Sequence, residues 1–296
     1  MAADDPTPID AELLDSWPLP EQGGDKSDRG RVLVVGGARQ TPGAVLLAAE
    51  TALRVGAGKV QVATASDTAA AVAVALPEGF VQGLPVLHGG ELAVAGADRV
   101  VELAESADVV LLGSGMGDPE CADLFLTQVV PRLDTLVVLD ALGTAFLTGN
   151  LDGMRHLAGR VLLTPNLTET AAMLERSEQE VQDDQLGAAR AIAEATGAAV
   201  LSGGEVSYVV SPQGESWSCS AGVPGLATAG SGDVKAGVVT GLLARGATPE
   251  QAAAWGAWAH ARAGERLARE SPGFLARDVS REIPGELNRT EATTSS

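Results

Sequence analysis

The sequence predicts an α/β fold built on a mainly parallel central sheet. From Arg31 to Arg269, short apolar runs alternate with helical segments and no Pro/Ser-rich linker interrupts them, which favours one domain. Of the 296 residues, 45% are hydrophobic but only 3% are aromatic, so the core must be built from Ala, Val and Leu. Side chains of this size suit helices that pack closely on a parallel sheet.

A βαβ unit opens the predicted sheet. The apolar strand Arg31–Val35 runs into the turn Gly36-Gly37, and a helix follows from Ala44 to about Val55. Gly56-Ala57-Gly58 closes that helix, and a second strand begins at Lys59 and ends at Thr64. This order of elements is the one that brings two parallel strands together.

The same pattern continues towards the C-terminus. Further strands are predicted at Val109–Leu112, Leu136–Asp140, Val161–Thr164 and Ala198–Leu201, and a hairpin at Val206–Val210 and Ser216–Ser220. Helices are predicted at Ala188–Thr196, Val234–Arg245 and Pro249–Arg269. The domain extends over residues 29–284. Residues 1–28 are predicted to be a flexible arm with a short helix at Asp10–Leu14, and residues 285–296 a disordered tail.

Charge and composition exclude several classes of function. The 39 acidic and 20 basic residues give a net charge of −19, which disfavours binding to nucleic acid or to an anionic membrane surface. No apolar run reaches the ~20 residues of a membrane-spanning helix, and Met1–Pro8 lacks the features of an export signal. Cys121 and Cys219 are too few for a disulfide framework or a metal-site signature. We therefore expect a cytoplasmic protein.

The glycine-rich turn before Asp233 is the most informative local feature. Gly230, Ser231 and Gly232 precede a helix of small apolar residues, where glycines let a ligand approach the backbone and unpaired N–H groups can bind an anion. Asp233 could accept the proton of a hydroxyl that attacks a phosphoryl group. Taken alone, the same residues also fit an ordinary turn in which Asp233 caps the helix.

Other glycine and acid clusters follow predicted strands. In an open parallel sheet, ligands bind beyond the carboxyl ends of the strands. The clusters at these ends are Gly36-Gly37, Gly113–Gly117, Asp140, Thr164–Glu169 and Ser202–Gly204. We therefore predict that they form one shared site, although any single cluster could be only a turn.

With these clusters in this order, the chain resembles the ADP/ATP-dependent NAD(P)H-hydrate dehydratases, a branch of the ribokinase-like superfamily. The matching segments are Arg29–Gly37, Thr41–Ala44, Gly56–Gly58, Gly113–Gly117, Leu163–Pro165 with Glu169, Gly225–Asp233, Gly241–Gly246 and His260–Gly264. The block Pro224–Asp233 is specific to this branch, whereas sugar kinases share only its Gly-x-Gly-Asp kernel. The resemblance implies a three-layer sandwich with a central, mainly parallel sheet flanked by helices.

The resemblance also implies an activity, the repair of a hydrated nicotinamide cofactor. The hydroxyl on the ring is phosphorylated from ADP or ATP, and phosphate is then eliminated to restore NADH or NADPH. Asp233 would be the base, and the backbone of Gly230, Ser231 and Gly232 would hold the transferred group. Mg²⁺ would bridge the nucleotide phosphates, and Glu169 would be an acid on the side of the metal. Glu169 fits equally well as an acidic residue in the first turn of a helix, without a metal. The family implies a homo-oligomer, a tetramer.

Binding residues also follow from the resemblance. Ala44, Gly115, Asn166 and Asp233 would contact the nicotinamide substrate. The nucleotide would contact Ser202, Gly203, Gly204, Glu205, Val206 and Gly232.

The chain departs from the family pattern at four places, one of which is Asp140-Ala-Leu, a segment shorter than the usual Asp-Ala-Asp-Ala-Leu. Asn166 stands where the family usually has His, and Ser202 stands at the start of a segment that the family usually opens with Lys. Lys235 occupies a position that is usually apolar. It could compensate for the lost cation or extend to solvent.

Two other functions fit parts of this pattern. One is a small-molecule kinase of the same fold that acts on a thiazole, pyrimidine or sugar-like alcohol. The other is a nucleotide-binding protein without turnover, which the departures at Asn166 and Ser202 would allow. The retained Gly-Ser-Gly-Asp segment argues against the second, because a protein that only binds nucleotide does not need the base.

Overall fold

In the computed structural model, which describes residues 5–21 and 29–293, ten strands form a single sheet. They are β1 (Thr7–Pro8), β2 (Arg31–Val35), β3 (Lys59–Ala65), β4 (Phe80–Leu84), β5 (Val109–Leu112), β6 (Leu136–Leu139), β7 (Val161–Leu163), β8 (Ala199–Ser202), β9 (Ser207–Val210) and β10 (Ser216–Cys219). Their order is β1-β10-β9-β8-β7-β6-β5-β2-β3-β4. Only β9 pairs antiparallel with its neighbours in this sheet.

Helices cover both faces of the sheet. They are α1 (Ala11–Ser16), α2 (Pro42–Arg54), α3 (Ser66–Ala75), α4 (Ala97–Ala104), α5 (Pro119–Val129), α6 (Leu167–Leu174), α7 (Glu178–Asp183), α8 (Gln185–Thr196), α9 (Ser231–Ala244), α10 (Pro249–Glu270) and α11 (Ala276–Thr293). The predicted α/β fold with a mainly parallel sheet is therefore confirmed. No range was predicted from the sequence for β1, β4, α3, α4, α5, α6, α7 or α11.

Alternate residues of each strand contribute to two separate cores. In β2, Val32 and Val34 pack into the core that α2, α9, α10 and α11 cover. Leu33 and Val35 pack into the other core, which α4, α5 and α8 cover. Because successive residues point to opposite faces and both faces are buried, the whole strand is apolar, and the sheet lies between two layers of helices.

Small residues let α9 lie very close to α2. A Cβ placed on Gly237 would lie 2.4 Å from the carbonyl oxygen of Ala48, and one on Gly241 would lie 2.7 Å from that of Ala52. Neither position can carry a side chain without moving a helix. The contact fixes α9 against α2, and with it the glycine-rich turn at the start of α9.

The N-terminal residues differ from the predicted flexible arm. Residues 5–21 pack on the domain: β1 extends the sheet beside β10, and Leu14 is fully buried. The carbonyl oxygen of Trp17 accepts hydrogen bonds from Trp255 Nε1 at 2.8 Å and from Gln251 Nε2 at 3.1 Å. The sequence does not reveal this packing because the partners lie more than two hundred residues away. Residues 1–4 and 22–28 lie outside the described residues.

The predicted disordered tail differs too, because α11 continues to Thr293. Val279, Ile283 and Leu287 are spaced four residues apart and are all buried in the core that α2 also covers. This apolar stripe holds the helix on the domain in spite of Pro284 and a polar sequence. Residues 294–296 lie outside the described residues.

Among the described residues, no helix has both the length and the apolar character needed to cross a membrane.

Candidate active site

The strand-end clusters meet at one edge of the sheet. Strands β8, β7, β6, β5 and β2 are consecutive and parallel, so their carboxyl ends point to the same edge. The loops that leave these strands carry Gly36-Gly37, Gly113–Gly115, Asp140, Thr164–Glu169 and Ser202–Gly204. The order of the strands thus brings these segments to one edge, as the sequence predicted.

Helix α9 begins earlier than the sequence predicted, at Ser231. Gly230 is its N-cap residue with φ of 87°, a left-handed conformation that glycine adopts without strain. No side chain caps this end, and Asp233 occupies the third helical position. Asp233 is therefore not the cap. The Ser231 N–H donates to the Thr228 carbonyl oxygen at 3.1 Å, whereas the N–H groups of Gly232 and Asp233 have no backbone acceptor among the described residues and remain available for an anion.

Asp233 titrates near neutral pH. Burial, followed by the Asp140 carboxylate, raises its pKa to about 7, and the hydrogen bond with Ser114 opposes both. A carboxyl group with such a pKa can both accept and release a proton under physiological conditions. This property fits the general-base role that the sequence assigned to it.

Asp140 is a buried acid that joins three strand ends. Its Oδ2 accepts a hydrogen bond from Ser114 Oγ at 3.1 Å, and its Oδ1 accepts one from Thr164 Oγ1 at 2.8 Å. Burial raises the pKa of Asp140, whereas the Thr164 hydroxyl and the Lys235 ammonium lower it. Sequence reasoning placed Asp140 at a strand end but gave it no role, because its partners follow two other strands.

Asn166 and Glu169 form a capping box at the start of α6. Asn166 Oδ1 accepts from the Glu169 N–H at 2.9 Å, and Glu169 Oε2 accepts from the Asn166 N–H at 3.0 Å. Asn166 Nδ2 also donates to Glu169 Oε1 at 2.8 Å. Burial raises the pKa of Glu169 to about 7, although the Asn166 N–H bond lowers it. The structure thus gives Glu169 the first-turn role that the sequence left open.

The predicted nucleotide segment is held by a residue that sequence reasoning missed. Gln185 Nε2 donates to Ser202 Oγ at 3.1 Å and to the Val206 carbonyl oxygen at 3.2 Å. Ser202 is fully buried by these contacts. Gly204 and Glu205 are exposed between them, so this loop presents backbone, not the Ser202 side chain, to a ligand.

Two predicted substrate residues lie side by side. A Cβ placed on Gly115 would lie 2.7 Å from Ala44 Cβ and 2.6 Å from the Thr41 carbonyl oxygen. Gly115 has φ of 72°, and its own carbonyl oxygen accepts a hydrogen bond from Thr41 Oγ1 at 2.6 Å. The position therefore requires glycine both for its backbone angle and for its close packing.

His260 is a neutral, packed histidine beside the glycine-rich turn. A hydrogen bond of 3.0 Å joins its Nε2 to Ser231 Oγ. Burial, followed by the charge of the nearby Lys235 ammonium group, lowers its pKa to about 3. His260 therefore fixes the orientation of the Ser231 hydroxyl and carries no charge at neutral pH.

This lowered pKa predicts a specific acid sensitivity. The unfolded chain binds a proton at His260 below about pH 6.5 whereas the folded protein does not, so stability is lost as the pH falls from 6.5 towards 3. At pH 4 the loss from this group is on the order of 3 kcal/mol. We expect His260→Gln, which keeps a side-chain hydrogen-bonding group, to lack that loss in urea unfolding between pH 4 and pH 8.

The exposed His88 provides the matched control, because His88→Gln removes a histidine that no core surrounds. Between pH 8 and pH 4, the free energy of unfolding of this variant should fall as it does in the unsubstituted protein. If His260→Gln loses as much stability towards pH 4 as the unsubstituted protein, the assignment of a neutral buried imidazole is contradicted.

The described residues contain no group of three or more His, Cys, Asp or Glu side chains able to hold a metal ion. Mg²⁺ commonly binds through one or two carboxylates, substrate phosphates and water. Asp140 and Glu169 supply two carboxylates, and the charge of Asp140 helps to raise the pKa of Glu169. The edge therefore fits a Mg²⁺ ion held mainly by a nucleotide, not a preformed protein cage.

Comparisons with known proteins agree with this geometry. A family profile described as NAD(P)H-hydrate dehydratase matches residues 32–285. An ADP-dependent (S)-NAD(P)H-hydrate dehydratase from Xanthomonas campestris is 40% identical over 95% of this chain and 96% of its own. Several relatives named bifunctional NAD(P)H-hydrate repair enzymes are longer, and the chain spans about half their length.

Two solved structures share the fold. A ribokinase-like superfamily protein from Enterococcus faecalis superposes with a TM-score of 0.82 at 23% identity, covering 96% of each chain. The ADP/ATP-dependent NAD(P)H-hydrate dehydratase from Bacillus subtilis, co-crystallised with ATP and Mg²⁺, gives a TM-score of 0.81 at 24% identity, covering 97% of this chain and 100% of its own. The architecture is thus the ribokinase-like one that the sequence predicted.

Proposed function

Since the chain belongs to the NAD(P)H-hydrate dehydratase family, we propose that it uses ADP or ATP to convert hydrated NADH or NADPH back to the intact cofactor. The observation that carries the proposal is the combination at the start of α9. There an uncapped helix N-terminus adjoins a carboxyl group, Asp233, whose pKa is about 7. These are the two groups that transfer of a phosphoryl group to a hydroxyl requires.

In the first step, Asp233 accepts the proton of the ring hydroxyl. The hydroxyl oxygen forms a bond to the terminal phosphorus of the nucleotide, and the bond to the leaving phosphate breaks, which releases AMP from ADP. The turn Gly230–Gly232 holds the transferred group as its charge redistributes, through those of its N–H groups that do not donate within the protein. Ser231 is kept in place for this by its hydrogen bond to His260.

In the second step, phosphate leaves the ring carbon. Hydroxide is a poor leaving group, whereas phosphate departs readily as the ring nitrogen supplies its electron pair. Loss of a proton from the neighbouring carbon then restores the double bond of the reduced nicotinamide. Ala44 and Gly115, which lie in contact, are the proposed floor under that ring, and Asn166 the proposed polar contact beside it.

Mg²⁺ is proposed as the metal of this site, where it would neutralise charge on the nucleotide phosphates. Asp140 and Glu169 would hold it through their carboxylate oxygens, with water and phosphate in the remaining positions. Ser202, Gly203, Gly204, Glu205, Val206 and Gly232 are the proposed nucleotide contacts. Because Ser202 is buried under Gln185, its contribution would be to shape the loop.

The proposal includes the organisation of the whole protein. Residues 29–284 are the main part of one catalytic domain, on which residues 5–21 and the end of α11 also pack, and copies of it assemble into a homo-oligomer, as the family resemblance implies. We place the activity in the cytoplasm, where the reduced nicotinamide cofactors that it would repair are used.

The experiment is to incubate the protein with hydrated NADH and either ADP or ATP, and to follow the absorbance of regenerated NADH. We expect NADH to appear only with nucleotide, with one AMP and one phosphate released per NADH when ADP is used. A kinase for another alcohol would leave the hydrate unchanged and consume nucleotide only with that alcohol. A protein that only binds nucleotide would bind ADP and produce neither NADH nor phosphate, and either outcome would contradict the proposal.

A further inference from the structure

Lys235 brings a positive charge to the carboxyl edge of the sheet. It lies two residues after Asp233 on α9 and is partly buried. Its Nζ reaches the loop that follows β8, where a Cβ placed on Gly203 would lie only 2.8 Å from Nζ. The lack of a side chain at Gly203 therefore leaves the space that the ammonium group occupies.

The loop that Lys235 meets is fixed in place. The Gly203 N–H donates to the carbonyl oxygen of Pro165 at 2.9 Å, which joins the loops after β7 and β8. Gln185 holds the same loop from the other side through Ser202 and Val206. The ammonium group thus lies against a segment of defined position, between helix α9 and exposed backbone.

The ammonium group keeps its hydrogen-bond donors available. Burial lowers the pKa of Lys235, whereas the carboxylates of Asp140 and Glu169 raise it and favour the charged form. Within residues 5–21 and 29–293, neither an ion pair within 4.0 Å nor a hydrogen bond joins Nζ to a protein group. An ammonium carries three donors, and here an incoming ligand can take them.

An anion needs such a cation at this edge. The chain has a net charge of −19, and the charge of Asp140 acts on both Glu169 and Asp233 at this edge. Helix N-terminal donors stabilise one anionic group but act against this field of carboxylates. A lysine is a compact cation that suits phosphate oxygens.

We propose that the Lys235 ammonium group, which lies in the space that Gly203 leaves open, binds the terminal phosphate of the nucleotide. The identity of the ligand as a nucleoside diphosphate or triphosphate rests on the proposed function. Helix α9 then supplies the phosphate site twice, with backbone N–H groups from its first turn and the ammonium group from its second. Gly203 acts as a positioning residue, because it determines where that ammonium group can lie.

The first experiment compares ADP and AMP binding by isothermal titration calorimetry in Lys235→Met. Loss of one charge-assisted contact should weaken ADP binding by about 10-fold or more, while AMP binding stays within about 2-fold because AMP lacks the terminal phosphate. Lys59→Met is the matched control, because Lys59 begins β3 at the opposite end of the strands. ADP affinity should be unchanged in that variant.

A double-mutant cycle tests the role of Gly203. Gly203→Ala introduces a methyl group at 2.8 Å from Nζ and should weaken ADP binding without removing any charge. In the Lys235→Met background the same change should have a clearly smaller effect, because the ammonium group that it displaces is gone. If Lys235→Met does not fold, Gly203→Ala alone provides the test, with circular dichroism and thermal unfolding as its measure of folding.

Four results would overturn the proposal. They are unchanged ADP affinity in Lys235→Met, an equal loss of ADP and AMP affinity, unchanged ADP affinity in folded Gly203→Ala, and a Gly203→Ala effect of the same size in both backgrounds. A Lys235 that only neutralises Asp140 and Glu169 would give the first result together with a lower melting temperature. The proposed function fails separately, if the unsubstituted protein binds ADP but regenerates no NADH.

Discussion

Asp233→Asn is expected to leave a folded protein that regenerates NADH about 10²–10⁴ times more slowly, the usual loss when a general base is removed. Asn keeps the size of the side chain and its place in the first turn of α9, but it cannot accept the hydroxyl proton. The measurement is kcat for NADH formation with saturating ADP. Asp152→Asn, at an exposed position outside the site, is the control and should keep full activity.

The same substitution should stabilise the protein above neutral pH. Because the pKa of Asp233 is raised from 3.8 to about 7, the folded protein binds more protons than the unfolded chain in that window, and stability falls as the pH rises through it. Asp233→Asn removes this loss, so at pH 8 it should unfold at higher urea concentration, by on the order of 1–3 kcal/mol. At pH 4 the two proteins should differ little. Near-normal turnover in the variant would exclude Asp233 as the base.

Gly237→Ala is expected to destabilise the protein by about 2–3 kcal/mol, because overpacking a close helix contact forces the backbone to move. The added methyl group would lie 2.4 Å from the carbonyl oxygen of Ala48 and 2.8 Å from Thr51 Cβ. Neither atom is the end of a flexible side chain, so α9 must move away from α2. Since α9 carries Asp233, turnover should fall as well.

Thermal and urea unfolding measure this effect, and Gly43→Ala is the matched control. Gly43 lies in α2 itself, but a Cβ there meets no atom within 4 Å. Its substitution should leave stability unchanged or slightly higher. Equal stability of Gly237→Ala and the unsubstituted protein would mean that the two helices do not pack as closely as the structure shows.

The sequence predicted most of the sheet and the edge at which the site lies. Strands such as Arg31–Val35 and Val109–Leu112 are recognisable because they are buried on both faces and read as continuous apolar runs. The parallel order then requires that their carboxyl ends meet. The start of α9 was predicted two to three residues late, because the left-handed Gly230, not Asp233, begins the helix.

The contacts that organise the site could not be predicted in the same way. Ser114, Asp140 and Thr164 follow three different strands, and only the register of the sheet brings their side chains together. From the sequence alone, Lys235 fits either a compensating cation or a side chain directed to solvent, and only the fold places its Nζ against Gly203. The packing of Trp17 on Trp255 likewise joins distant parts of the chain. Local patterns carry no information on such long-range pairs.

The arrangement of the site is tested most directly by a crystal structure of the protein with ADP and Mg²⁺. We expect the nucleotide in the groove between Ser202–Val206 and Gly230–Gly232, with its terminal phosphate at the first turn of α9 and within hydrogen-bond distance of the backbone N–H groups there. A nucleotide whose adenine lies beside Gly36-Gly37, with its phosphates away from α9, would contradict the account.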